Sequence, residues 1–445
     1  MVAEMRNRYS FIRSFLLMFL FSCFHIYVFS QVGPPADSLK ADSLRIIRSG
    51  KIPPAENLDM QYDVGDLFRN VFHPNKGADP LRKRSGITII PNIAANPSIG
   101  FQVGIKSVAG LKLGKDPRTL MSVGATSASI TTKGIIYFYL NHNVFTNANK
   151  WNIQGALAVA KTVTPDFGLG IGQTAGESAE DKVLNNPTRK GYVIHSLYFN
   201  FREKVYKEVV HNLFLGAGVS FDVRKNIVER ETVENALTPY KIYSDRYGFN
   251  RDQYMSNGLL FSLQYTSRDN QNRAYKGIFA DAGFRVNQTW MGSTKNALQF
   301  TTDFRKYWSL SNRDPAHVIA LWNWGSYLIS GVLPYLELPG TGRDPGFRSG
   351  RGYTVTYFKG TKYSDTELEY RFPITTNKFL SGVTFFNIQT ANDQLGTRLF
   401  EKWQPGGGAG LRVLFNKATR TNLCLDYAFG TFGRKGFFLG LNDAF

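Results

Sequence analysis

The sequence predicts an all-β protein: a 16-stranded antiparallel transmembrane β-barrel with a short helical extension on its N-terminal, periplasmic side. Three observations predict it. After residue 31 no apolar run approaches the roughly 20 residues that a membrane helix needs, and the mean hydropathy is −0.24. Aromatic residues make up 14% of the chain and glycines number 42, which suits short strands with aromatic girdles and tight turns. From Ile87 onward, alternating apolar and polar runs are separated by short turns and by connections of variable length.

Residues 1–30 read as a secretory signal peptide. Arg6, Arg8 and Arg13 precede the apolar run SFLLMFLFSCFHIYVFS, and Val28 and Ser30 are the small residues before a cut at Gln31. Cys23 offers an alternative lipoprotein cleavage site, but the apolar run continues past it to Phe29. Removal of the peptide leaves Cys424 as the one cysteine, in a strand-like run, so no intramolecular disulfide can form. Residues 31–85 are polar and broken by Pro34, Pro35, Pro53, Pro54, Pro74 and Pro80. Within them Val64, Leu67, Phe68, Val71 and Phe72 fall on one helix face, which predicts a helix over 63–73 with Asp63 as its cap and Pro74 as its stop. So short a helix needs a docking surface. It either lies on the periplasmic lipid surface, plugs the barrel mouth, or serves as a plain linker.

The barrel occupies 86–445. Its strands are predicted at 86–93, 99–113, 118–130, 134–145, 149–162, 190–204, 210–225, 255–268, 274–288, 295–310, 315–331, 357–372, 379–389, 406–416, 420–430 and 434–445. With both ends periplasmic, connections after odd strands face outward. The long ones (163–189, 226–254, 332–356, 390–405) all follow odd strands. In the last strand Phe437, Leu439, Leu441 and Phe445 alternate onto one face, the lipid side. Asp443 interrupts that face near the headgroup level.

The net charge of +19 raises nucleic acid as a partner, but the basic residues are scattered through turns, loops and polar strand positions rather than forming one patch. Outer-membrane lipids, both phospholipid and lipopolysaccharide, and a solvated lumen account for them better. No catalytic arrangement emerges: His73, His142, His195, His211 and His317 stand apart, and His195 and Ser196 point to opposite faces of a strand. With no Cys/His cluster, the expectation is no enzyme, no metal and no cofactor.

Residues 342–353, GRDPGFRSGRGY, hold four glycines, three arginines and a proline between two aromatic strand-like runs. So basic a connection needs a solvated place, such as the lumen of a large barrel. The Arg351-Gly352-Tyr353 triplet, with ELPGTGRDPGFRSG before it and YFKGTKYSDTELEYRFPI after it, resembles the lumen-inserted loop and following strand of BamA/TamA-type assembly barrels, the outer membrane protein 85 superfamily. ITIIPNIAANPSIGFQVG resembles the family's first hairpin, YTSRDNQNRAYKG its central periplasmic turn, and GVLPYLELPG the approach to the inserted loop.

The resemblance implies an outer-membrane location in a Gram-negative bacterium and a loop arginine held by acidic groups on the next two strands. Here these map to Glu369 and to Asn387, where the family's F-x-D-x-G reads FFNIQ. Asn387 accepts a hydrogen bond but carries no charge, so a weaker clamp is expected. A terminal phenylalanine looks like the family's insertion signal. The family is thought to open between its first and last strands, and here Pro91, Gly436 and Gly440 weaken that seam. Segment 31–85 leaves no room for the family's client-collecting POTRA modules. Two functions stay open: insertion or translocation of unfolded outer-membrane proteins, with periplasmic or lipoprotein partners, or a structural or small-pore barrel plugged by loop 332–356.

Overall fold

The computed structural model describes residues 60–72, 86–116, 119–172, 177–186, 189–230, 236–417 and 419–445. All belong to the unit Leu58–Phe445. The signal peptide, Cys23 and the prolines at 74 and 80 lie outside the described residues.

Sixteen antiparallel strands close into one barrel. The first is broken in two: β1 comprises Gly86–Pro91 and Ala94–Asn96. There follow β2 (Gly100–Leu111), β3 (Ser122–Thr131), β4 (Ile136–Phe145), β5 (Trp151–Asp166), β6 (Tyr192–Val210), β7 (Leu213–Arg230) and β8 (Tyr254–Thr266). The second half is β9 (Gly277–Asn287), β10 (Ala297–Ser309), β11 (Val318–Gly331), β12 (Lys362–Pro373), β13 (Leu380–Ala391), β14 (Gln404–Asn416), β15 (Thr421–Gly430) and β16 (Lys435–Leu441). The longest connections follow odd strands, as the sequence predicts. Alternation sets the faces: in β2, Phe101, Val103 and Ile105 point outward between half-buried neighbours.

Several boundaries differ from expectation: β3 begins at Ser122 rather than 118, β5 runs on to Asp166 rather than 162 and β7 to Arg230 rather than 225, and three further differences change how side chains face. The β6–β7 turn lies at His211-Asn212, not at 205–209. Asn212 takes the left-handed conformation that a tight turn needs (φ 66°), and alternation runs on through buried Tyr206 and outward Lys207. Strand β12 begins at Lys362, because Tyr357, Phe358 and Lys359 are buried inside the barrel as part of the preceding loop. The last strand stops at Leu441: Asn442 adopts φ 68°, which breaks the alternation and turns the final residues into the lumen.

Phe445 therefore does not share the lipid face of Phe437. It is 5% exposed, packs on Trp322 and Tyr307, and its backbone oxygen accepts a hydrogen bond from Arg371. Asp443 is likewise no outward charge at headgroup level but a buried lumen carboxylate.

The core is the lumen itself. One cluster gathers Trp322, Trp324, Tyr353, Tyr357, Phe358 and Tyr363, and a second packs around Tyr335 at the long-loop end. There α2 (Ala179–Asn185) and α3 (Pro239–Arg246) are capped by Ser178 and Thr238.

At the short-turn end, α1 (Val64–Phe72) starts with a reciprocal cap, Asp63 and Asp66 each accepting the other's backbone N–H. It docks through its N-terminus. Lys417 Nζ lies 2.8 Å from Asp66, Tyr62 N–H donates to Asn377 O at 3.1 Å, and the Tyr62 ring packs on Phe379. Leu67, Phe68 and Val71 stay exposed and Val64 is half-buried, so the helix rests on the rim rather than filling the mouth. The side chain of Phe72 lies outside the described residues.

Candidate functional site

The connection 332–361 between β11 and β12 folds back into the lumen. Its tip is organised by Asp344, whose carboxylate accepts the backbone N–H groups of Gly346, Arg348 and Ser349. Two of its arginines, Arg348 and Arg351, then tie it to the surrounding barrel.

The Arg351 guanidinium is the centre. Its Nε donates to Glu367 at 3.1 Å and its Nη1 to Asp426 at 3.1 Å, while Nη2 bridges Glu367 and Glu369. Glu367 and Glu369 stand two apart on β12, so the strand's period of two aims both inward. Asp426 arrives from β15 and the ring of Phe385 from β13, with the guanidinium carbon 3.5 Å from the ring centroid. Five donors in a planar fork suit three carboxylates better than a point charge would. Burial alone would favour the neutral guanidine, but Glu367, Glu369 and Asp426 outweigh it and hold the Arg351 pKa above its ordinary value.

The carboxylates do not rely on Arg351 alone. Arg371 Nε lies 2.6 Å from Glu369, Arg412 bonds both Asp426 and Asp443, and Arg273 approaches Asp443 at 3.5 Å. Four arginines thus alternate with four carboxylates drawn from the loop, the β8–β9 turn, the inside of β12, β14 and β15, and the residues after β16. Such a network is costly to desolvate and holds only when complete.

Asn387 takes a different part from the one the sequence suggests. Its Nδ2 donates to the backbone oxygen of Arg351 at 2.9 Å and does not accept from the guanidinium. The charge that Asn387 lacks is supplied by Glu367 and Asp426, which contact the guanidinium beside Glu369. Both were legible in principle: T-E-L-E-Y-R puts Glu367, Glu369 and Arg371 on one face, and Asp426 interrupts an apolar alternation.

Gly352 and Tyr353 seat the loop sterically. At Gly352 (φ 103°) a Cβ would stand 2.7 Å from the Phe429 carbonyl oxygen, so only glycine fits. The Tyr353 ring fills a slot floored by Gly406 and Gly430, where added Cβ atoms would lie 3.0 and 2.3 Å from it. Its hydroxyl donates to Pro405 O and accepts the Thr431 N–H. Further along, Lys359 is buried with its Nζ 2.7 Å from Asp166. Burial, only partly offset by Asp166, brings its pKa down to about 8.

The loop also touches both strands flanking the closure. Val355 N–H donates to Ser98 Oγ in the β1–β2 turn at 2.8 Å, and Arg348 donates to the carbonyl oxygens of Leu441, Asn442 and Asp443. The closure is slight: β16 and β1 share one residue pair, Leu439↔Ala95. Neighbouring β6 and β7 pair almost continuously from Val193↔Arg230 to Val210↔Leu213. Pro91 ends the first half of β1, and Pro97 leans on Gly436, where a Cβ would come within 2.4 Å of it. Gly440 has open space around it.

A family model described as the Omp85 superfamily domain matches residues 196–440, more than half of the chain. The chain belongs to the Omp85 superfamily. Among solved structures, this Omp85 barrel is similar to BamA from Haemophilus ducreyi lacking POTRA domains 1–3, at 13% identity and a TM-score of 0.51 over 80% of this chain and 70% of that one. It is also similar to CdiB from Escherichia coli, at 7% identity and a TM-score of 0.51 over 81% of this chain and 62% of that one. The chain therefore spans less than two thirds of the CdiB it matches. At these identities the likeness is one of fold. No curated protein matches the chain.

Proposed function

We infer that this Omp85 barrel sits in the outer membrane of a Gram-negative bacterium and helps insert or translocate outer-membrane proteins through the seam between β1 and β16. The observation that carries this is the single Leu439↔Ala95 pair, the slightest junction in an otherwise continuous sheet. A sheet edge with unpaired N–H and C=O groups is a template for an incoming strand. The lumen loop, gripping Ser98 on one side and 441–443 on the other, is placed to hold the seam until a client arrives. Periplasmic or lipoprotein partners would deliver clients through segment 31–85, and the exposed apolar side of α1 would lie on the inner lipid surface. The chemistry asked of the protein is mechanical, not enzymatic, and needs no cofactor.

The test is assembly of an unfolded outer-membrane protein into liposomes holding the full chain, its Arg351→Ala variant, or an Ala95→Cys/Leu439→Cys pair. Cα partners on adjacent strands lie within reach of a disulfide. Acceleration by the wild type, its loss in Arg351→Ala and in the oxidised pair, and its return on reduction are expected. An oxidised pair as active as the wild type would overturn the seam. A second reading, a small-pore barrel plugged by loop 332–356, is favoured by the close seating of Tyr353 between Gly406 and Gly430. It predicts higher conductance on loop deletion with no assembly activity in the intact chain.

A further inference from the structure

Two rows of outward residues run in register across β5, β6 and β7. At the short-turn side Trp151 pairs with Lys207 and Lys207 with Leu215. At the long-loop side Lys161 pairs with Leu197 and Leu197 with Lys225. On each strand the rows are ten residues apart. At about 3.3 Å per residue and a tilt of about 40°, that separation is about 25 Å, the height of the apolar band on a membrane barrel. Between the rows the outward positions are mostly apolar, with Val159, Phe199, Phe201, Phe221 and Val223 facing out. The lower row carries the aromatic and basic signature of an interface, with Lys207 Nζ 5.6 Å from the Trp151 ring centroid. Lys161 and Lys225 therefore stand at the opposite interface.

Both are exposed, and neither side chain takes part in a hydrogen bond or ion pair among the described residues. They flank exposed Leu197 across one intervening strand, about 10 Å apart at two strand spacings. No acidic residue occupies an outward position of these three strands beyond the row, and Arg230 adds a third cation further out. A solvated rim would mix signs. This stretch presents two spaced cations on either side of an apolar floor, directly at the end of the hydrocarbon band.

We propose that Lys161 and Lys225 form a binding site for a lipid headgroup carrying two phosphates, in the leaflet at the long-loop end of the barrel. The proposal rests on the outer-membrane placement argued above but not on insertion activity. One phosphate meets each ammonium, and the acyl chains descend over Leu197 and the residues below it. A phosphate-bearing headgroup gains about 1 kcal/mol per lysine at such a surface, which is about five-fold in retention for each and about thirty-fold for both.

The experiment is native mass spectrometry of the detergent-solubilised full chain with diphosphorylated lipid A, its monophosphorylated analogue, or phosphatidylethanolamine as probe. The wild type should retain the diphosphorylated lipid most strongly, the monophosphorylated one less, and the zwitterionic lipid least. Lys161→Gln/Lys225→Gln should reduce retention of the first about thirty-fold. Unheated gel mobility of the double variant confirms a folded barrel. Equal retention by the variant, or no preference between probes, would overturn the proposal. Displacement by millimolar inorganic phosphate would assign the site to the free ion and overturn it equally. In liposomes of phospholipid alone the double variant should insert clients as the wild type does, so failure of the wild type there speaks against the assembly reading and leaves the lipid site untouched.

Discussion

At the scale of single residues, the consequences of the clamp follow from its completeness. Arg351→Ala would leave Glu367 buried with no cation in contact, and removing one member of a buried ion network costs about 3–5 kcal/mol. The sheet ladders remain, so the barrel should fold with a lower urea midpoint and a protease-sensitive loop. Arg351→Lys should behave nearly as badly, because one ammonium cannot serve Glu367, Glu369 and Asp426 in three directions. Asn387→Asp would bring in the residue usual in this family, yet it should weaken the loop. The present amide donates to the Arg351 carbonyl oxygen, whereas a carboxylate would face that oxygen without a proton, at a cost of about 1–3 kcal/mol in the same titration. Lys359 supplies a pH dependence. Its pKa is about 8 when folded against 10.5 for a free lysine, so between those values the unfolded chain binds more protons than the folded one. Stability therefore rises with pH from about 8 toward 10. Above 10, Tyr335, Tyr240 and Tyr243, whose pKa values burial pushes up, resist ionising in the folded state and reverse the trend. Urea midpoints at pH 7.5 and 9.5 should show the rise in the wild type and not in Lys359→Met.

At the scale of elements, β4, β5 and β6 hold an anomaly within the apolar band. His142 and Glu203 both point outward and meet at 3.1 Å over Gly155, where a Cβ would lie 2.1 Å from the Glu203 carboxylate. Glu203 stands four residues inside the Trp151–Lys207 row, about 10 Å into the band. An unpaired carboxylate facing lipid is destabilising, though less so than Lys or Arg at the midplane. His142→Leu should thus lower stability by about 1–2 kcal/mol in vesicle unfolding, while His142→Leu/Glu203→Leu should be neutral or better, since an apolar pair removes the desolvation cost. A double variant as unstable as the single one would show that the pair serves packing rather than charge. The last strand teaches a related point. Its alternation through Phe437, Leu439 and Leu441 was legible, but the turn at Asn442 was not, because a left-handed residue leaves no mark on apolar periodicity. The place of the β6–β7 turn is hidden by polarity instead, since K-E-V-V-H-N is polar enough to pass for a loop while Tyr206 still alternates inward.

For the whole molecule, strand number and order were set by local chemistry. Alternation assigns each residue to lumen or lipid, polar turns separate the strands, and the long connections at 167–191, 231–253, 332–361 and 392–403 follow odd strands, so one end of the barrel carries the elaboration. Periodicity is a property of neighbours in sequence, and so the sequence by itself determined the barrel, while the basic, glycine-rich composition of 342–353 and the family resemblance marked the inserted loop and Glu369. What only the tertiary structure decided were relations across the closed sheet. Arg351 meets Asp426, 75 positions away, and Arg348 caps the carbonyls of 441–443. Phe445 turns inward onto Trp322, and the seam narrows to one pair. None of these leaves a periodic trace. Each follows from how closure brings the fifteenth and sixteenth strands beside the loop of the eleventh, where burial favours pairing Arg351, Arg371 and Arg412 with Glu367, Glu369, Asp426 and Asp443.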